Sequence, residues 1–222
     1  MFSQLLKRIA GPALILGGLI WIAIHVMMII IVVMTGKLAG EVPASQQPLI
    51  TPIYFLLLPL SSIFLGVGLL GLFALLEGRS KKLGIAGIVL ASIGMIMGII
   101  YLLFLILGSA ALSGVLGVIA PVANGLNGIL ILGSTILLGW AALRVRVLPR
   151  WAAWILIIVG IITAPILLVT PLPIGPIWAT DTIAFFIGGI GYTVVGVTLV
   201  VAQKHAVESP VDTSVNVVAK AK

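Results

Sequence analysis

The 222-residue sequence contains no cysteine. That removes disulfides, thiolate metal sites and cysteine nucleophiles together, and with them any reading of the redox compartment. Charge is nearly as scarce: 5 Asp and Glu against 12 Lys and Arg leave 8% of the chain charged. A soluble domain carries about a quarter, because its surface must be wetted, so most of this surface is expected to face lipid. The shortage of carboxylates excludes further chemistry. Metalloprotease, isoprenoid-diphosphate and diiron centres need Asp or Glu on their helices, and the long apolar runs of this chain hold none. Ion-coupled carriers normally keep an intramembrane Asp, Glu or Arg, and that too is missing from the runs. No Gly-rich loop leads into Lys-Ser/Thr for nucleotide binding. The string Ala111-Leu112-Ser113-Gly114, expected in a loop, has no matching membrane histidine to make an intramembrane serine protease.

Apolar residues make up 62% of the chain, and the mean hydropathy is +1.38. A helix crosses the hydrocarbon core with about 20 apolar residues. Runs of that length lie near Gly11–Met34, Thr51–Leu76, Leu83–Gly108, Asn124–Leu143, Trp151–Val169 and Thr182–Ala202. The sequence therefore predicts an all-α, polytopic membrane protein with a six-transmembrane-helix bundle over residues 1–203 and a mobile tail over 204–222. The first run is too long for a signal-peptide core and lacks a small-x-small cleavage site, which predicts an uncleaved first helix. The stretch 109–122 is apolar and rich in small residues but short, and the alternative topology makes it re-entrant.

Orientation follows from the connections. Lys7 and Arg8, then Arg79, Lys81 and Lys82, then Arg144, Arg146 and Arg150, then Lys204, Lys220 and Lys222 fall on one side, and Lys37 alone falls on the other. The positive-inside rule predicts both termini in the cytoplasm, N-in and C-in. The net charge of +7 thus serves topology. Nucleic acid is excluded as a partner, since its footprint needs cations clustered on a wettable face. Aromatic belts are expected at both interfaces, with Trp151 and Trp154 inside and Tyr54, Tyr101, Phe104, Trp178, Phe185 and Phe186 outside. Leu69-Leu70-Gly71 with Ala74-Leu75 aligns with Leu137-Leu138-Gly139 and Ala142-Leu143, which suggests duplicated hairpins.

The glycines of the third run (Gly84, Gly87, Gly94, Gly98) with Ala91, and Ala13 with Gly17 in the first, let helix backbones approach in lipid. They are read as packing within the bundle, with a dimerisation face as the alternative. His25 is the one histidine inside a run. It is read as a neutral, hydrogen-bonded side chain. No cofactor is predicted, although a single-ligand haem or chlorin at His25 remains open; a bis-histidine haem is disfavoured because His205 lies at the opposite end. Ser61, Ser62, Asn124, Asn127, Thr163, Tyr192 and Thr193 fall near the midplane or in the outer half, as does His25. His25, Ser61, Ser62, Asn127, Thr163 and Tyr192 are the candidate binding residues of an outward-opening polar pocket. The plainer reading returns the hydroxyls to their own i−4 carbonyls and puts Asn124 and Asn127 at a helix start. No catalytic residue and no metal ligand set is identified.

The segment Gly139-Trp-Ala-Ala-Leu143-Arg144, followed by Leu148-Pro149-Arg150-Trp151, resembles turns in multi-pass, six-span bacterial inner-membrane proteins of unknown function. The resemblance covers about 20 residues plus the six-span plan. It implies a bacterial inner membrane and no activity. The function expected is that of a non-catalytic accessory or assembly subunit of a larger membrane complex, with the lipid bilayer and other membrane subunits as partners. The alternative is a small transporter or substrate-capture subunit for a neutral or hydrophobic molecule; an enzyme is not expected.

Overall fold

A computed structural model describes residues 2–37, 42, 44–46, 48–76, 79, 81–107, 113–169 and 177–208. Among these the chain forms α1 (Phe2–Thr35), α2 (Ile50–Leu75), α3 (Lys81–Leu107), α4 (Ser113–Val145), α5 (Arg150–Val169) and α6 (Ile177–Glu208), with a 3-10 turn at Ala44–Gln46 and no strand. Five of the helices contain stretches long and apolar enough to cross a membrane, and α5 contributes a shorter apolar stretch over Arg150–Thr163. In hydrocarbon a helix is the one open-chain structure that satisfies every backbone group internally.

The helices overrun the apolar runs. α1 takes in Lys7 and Arg8, and α6 takes in Lys204 and continues to Glu208, so 204–208 is helical; residues 209–222 of the expected tail lie outside the described residues. α4 starts at Ser113 rather than near Asn124. The stretch expected to be loop or re-entrant therefore continues the helix from Ser113 onward, while 109–112 lie outside the described residues. Nothing charged interrupts it, and an interior proline such as Pro121 removes one backbone bond without ending a membrane helix. Asn124 and Asn127 consequently sit inside α4, not at its start. At 1.5 Å per residue the 33 residues of α4 reach about 50 Å, well beyond a hydrocarbon core of about 30 Å.

Consecutive helices pack against each other, α6 returns to α1, and α2 also meets α4. The result is a ring of α1, α2, α4, α5 and α6, with α3 seated outside in the groove between α2 and α4. Glycine contacts fix the register. A Cβ built on Gly17 would meet Leu65, one on Gly68 would meet Leu14, and one on Gly71 would meet Ala10. Numbers rise along one helix as they fall along the other, so α1 and α2 are antiparallel. The same test makes α3 and α4 antiparallel (Gly87 to Leu138, Gly94 to Ile131, Gly98 to Asn127), and likewise α4 and α5 (Gly139 to Ile157, Gly160 to Leu132). The α3 glycines thus face α2 and α4, within the bundle.

The core fills the ring with Leu14 of α1, Leu65, Leu69 and Leu72 of α2, Leu138 of α4, Leu156 of α5 and Tyr192 of α6. Phe185, Tyr54 and Tyr101, expected in an outer belt, are buried instead, whereas Trp151, Trp154 and Phe186 are exposed; Trp178 lies outside the described side chains. The rings are buried because each lies on a face that meets a neighbouring helix, a distinction that depth along the helix does not carry. The hairpin similarity is not matched in packing either. A Cβ on Gly71 would strike Ala10 of α1, whereas one on Gly139 would strike Ile157 and the Ala153 carbonyl of α5.

Candidate functional site

The seam that closes the ring, between α1 and α6, brings the most distinctive side chains together. Gly11, Ile15, Gly18, Ile22 and His25 recur on one face of α1 at heptad spacing, and Phe185, Gly189, Tyr192 and Gly196 do so on α6. A Cβ on Gly18 would lie 2.6 Å from the Gly189 carbonyl oxygen, and one on Gly189 would lie 2.8 Å from that of Gly18. Gly11 and Gly196 repeat the reciprocity seven residues away, at 2.9 and 2.7 Å. The two backbones therefore touch, and only glycine allows that approach. At the charged end of the seam Gln203 Nε2 donates to the Lys7 carbonyl at 2.7 Å, so the start of α1 and the end of α6 lie at the same end of the bundle.

Aromatic rings line the same seam beside the glycines. Tyr192 stacks on Trp21 with centroids 5.4 Å apart, Trp21 meets Phe185 at 5.6 Å, and Phe185 stacks on His25 at 5.1 Å. The four rings form a continuous row from the ring interior to half-buried His25. At its inner end, the Thr135 hydroxyl donates to the Ile131 carbonyl at 2.8 Å, so its contact with Tyr192 at 2.7 Å must be accepted from the phenol. This Tyr192–Thr135–Ile131 relay ties α6 to α4 across the ring. At the outer end, His25 Nδ1 lies 2.7 Å from the Trp21 carbonyl. A carbonyl only accepts, so Nδ1 carries the proton and Nε2 keeps its lone pair.

The remaining predicted residues lie on other seams. Asn127 and Ser62 meet where α2, α3 and α4 converge: a Cβ on Gly98 would lie 3.4 Å from Asn127 Nδ2 and 3.5 Å from both Ser62 Cβ and the Pro59 carbonyl oxygen. Asn127 Oδ1 is buried there without a hydrogen-bond partner, as are Ser134 Oγ two turns further along α4 and Thr51 Oγ1. Ser61 and Ser62 turn back to the Leu58 carbonyl at 2.7 and 3.5 Å. Thr163 donates to the Val159 carbonyl and faces α6 at Gly188. His25 and Tyr192 thus share the α1–α6 seam through Trp21 and Phe185, Ser62 and Asn127 share a second, and Thr163 occupies a third.

Sequence reasoning did not single out Thr135, Ser134 or the glycine pairs. The signal for the pairs was present: Gly11 and Gly18, and Gly189 and Gly196, are both seven apart, which is the repeat of two antiparallel helices in continuous contact. Among the described residues no three of His, Cys, Asp and Glu are grouped to hold a metal ion. Comparison with protein-family models, with curated proteins and with solved structures gave no match.

Proposed function

We propose that the chain is a non-catalytic subunit of a larger membrane complex, crossing a bacterial inner membrane six times with both termini in the cytoplasm. The observation that carries this reading is the fate of most hydroxyl side chains inside the apolar helices. Ser61, Ser62, Thr135, Thr163, Thr193 and Thr198 donate to carbonyls three or four residues back on their own helices, whereas Thr51 and Ser134 are buried without a partner. The donors of those six are thereby satisfied within the bundle, and the candidate residues are divided among three helix seams. Such a molecule acts by the surface it offers. α3 supplies one: Val89, Ile93, Ile96, Ile100 and Leu103 are exposed at alternating spacings of four and three, the pattern with which one helix face meets another. The cations at helix ends support the orientation. Lys7, Arg8, Arg79, Lys82, Arg144, Arg146, Arg150 and Lys204 lie at the end of the bundle where α1 begins, and Lys37 lies at the other.

A second reading rests on two acceptors: Asn127 Oδ1, buried without a partner, and the Nε2 lone pair left when His25 Nδ1 donates to the Trp21 carbonyl. Either suits a neutral hydrogen-bond donor, as a capture subunit needs, and the His25 lone pair is also the form that serves as a single axial ligand to a haem or chlorin metal.

One purification separates these readings. The native protein is extracted in mild detergent, co-eluting proteins are identified by mass spectrometry, and an absorption spectrum is taken. Stoichiometric membrane partners are the expected result. A solitary, colourless protein refutes the subunit reading, and a pigment lost in His25→Ala establishes the ligand role. Orientation is tested on the cysteine-free natural sequence with single cysteines at Lys37 and Arg79. A membrane-impermeant maleimide added to intact cells should label the first and spare the second.

A further inference from the structure

The turn between α4 and α5 is built unlike the rest of the molecule. Arg146 has φ 58°, the one non-glycine positive φ among the described residues, whereas the other left-handed position, Gly36 at φ 68°, has the residue that such geometry favours. An L side chain in this region is strained. The chain has 26 glycines and yet places an arginine here. Leu148, buried at 4% exposure, clamps the turn to the core, and Pro149 accepts the Ala152 and Ala153 amides at 3.0 and 3.2 Å to start α5. The turn is therefore held firmly while Arg144, Arg146 and Arg150 all remain exposed. No acidic residue occurs in the sequence between Glu77 and Asp181.

On the helical turns that flank these arginines are three exposed indoles, Trp140 of α4 and Trp151 and Trp154 of α5, at 42, 52 and 47% exposure. Arg144 Cζ stands 6.0 Å over the Trp140 ring, within cation–π range. Trp140 meets Trp154 edge to face at 6.4 Å, joining the two helices on their outer side. Gly139 allows that closeness, since a Cβ there would sit 3.1 Å from the Ala153 carbonyl. Reading from the turn inward, the surface runs from three cations to a paired aromatic shelf to aliphatic helix. That is the order of groups in a phospholipid: anionic phosphate, glycerol ester, acyl chain.

We propose that the α4–α5 turn is a binding site for one anionic phospholipid, with Arg144, Arg146 and Arg150 on the headgroup and Trp140 and Trp154 against the upper acyl chain. The strain at Arg146 is the feature that an ordinary interfacial anchor does not explain, because lysines and arginines at relaxed helix ends snorkel without it. The inference is independent of the subunit reading, since it concerns lipid rather than protein.

The test is native mass spectrometry of the full chain in detergent with phosphatidylglycerol and phosphatidylcholine supplied in equal amounts, alongside a thermal melt. The wild type should retain one phosphatidylglycerol in preference to phosphatidylcholine. Arg146→Gly should lower that preference about fivefold, the contribution of one surface cation near an anionic lipid, while leaving the melting temperature unchanged or higher. Trp140→Ala with Trp154→Ala should weaken retention of both lipids. Equal retention of the two lipids by the wild type overturns the proposal. So does an Arg146→Gly protein that keeps its preference, or one that loses preference and melting temperature together. Glycerol phosphate, which has the headgroup without the chains, should not displace the lipid; displacement would reassign the site to soluble phosphate.

Discussion

Substituting Gly18 by alanine tests whether the α1–α6 seam holds the ring closed. The added Cβ would sit 2.5 Å from Thr193 Oγ1, 2.6 Å from the Gly189 carbonyl oxygen and 2.8 Å from the Thr193 amide nitrogen. A threonine side chain can rotate away, but the other two atoms belong to backbone. To restore an ordinary contact of about 3.4 Å to that carbonyl, the helices must part by roughly 0.8 Å, and a gap of that size forfeits a quarter to a half of each neighbouring dispersion contact. The loss extends along the seam, because Gly11 and Gly196 touch in the same register. Overpacking of this kind costs about 1–3 kcal/mol, offset by up to ~1 kcal/mol from the better helix propensity of alanine. A net loss of about 1–2 kcal/mol is expected. Gly98→Ala is the control, because its Cβ would find neighbours at 3.4–3.5 Å, an ordinary distance. It should leave stability unchanged or raised by as much as ~1 kcal/mol. Unfolding by SDS in mixed micelles, followed by tryptophan fluorescence, reads both, and Trp21 reports from the seam itself. In Gly18→Ala with Gly189→Ala the second change should cost less than the first, since the seam is already open. Equal stability of Gly18→Ala and Gly98→Ala, or strict additivity of the pair, would refute the reasoning.

Tyr192→Phe removes the phenol that donates to Thr135 and leaves Thr135 bonded to Ile131, so about 0.5–1 kcal/mol should be lost in the same SDS titration. A loss above ~3 kcal/mol would mean that the relay does more than join α6 to α4. Asn127→Leu replaces a buried amide whose oxygen has no partner with an apolar side chain of similar size, so it should be neutral or stabilising; a clear loss of stability would reveal a bound donor at that position. Leu69→Ala, at a fully buried site in the ring interior, should cost about 2–5 kcal/mol through the cavity it leaves, and a loss under 1 kcal/mol would place Leu69 outside the true core.

Helical class and the approximate helix positions were legible because each depends on a local quantity, the length of an uncharged apolar run. The helix ends were less so. Lys7, Arg8 and Lys204 end the apolar runs, but a helix continues for as long as its backbone bonds are made, so charge marks the end of the apolar run and not the helix end. α4 is the opposite case: small residues and a proline over 113–123 weaken the apolar signal without breaking the backbone ladder. Facing was the least legible property. Phe185 and Phe186 are adjacent and equally aromatic, yet Phe185 is buried against Trp21 and His25 while Phe186 is exposed. Which of the two turns inward depends on the rotation of α6, and that is set by Gly189 and Gly196 contacting a helix almost the whole chain away.

That long-range contact also separates damage to the fold from damage to the proposed assembly role. The other ring contacts join neighbours or near neighbours in sequence, and each forms once one hairpin, or the two that α3 shares with α2 and α4, have closed. The α1–α6 seam alone requires the two ends of the chain to meet, and its holding parts are all internal: two glycine pairs, a row of four rings, and the Gln203 bond to Lys7. α3 lies outside the ring and presents Val89, Ile93, Ile96, Ile100 and Leu103 outward, so polar substitution there removes no contact on which closure depends. A variant that loses partners while keeping wild-type resistance to SDS should therefore map to that face of α3. One that loses both should map to the seam.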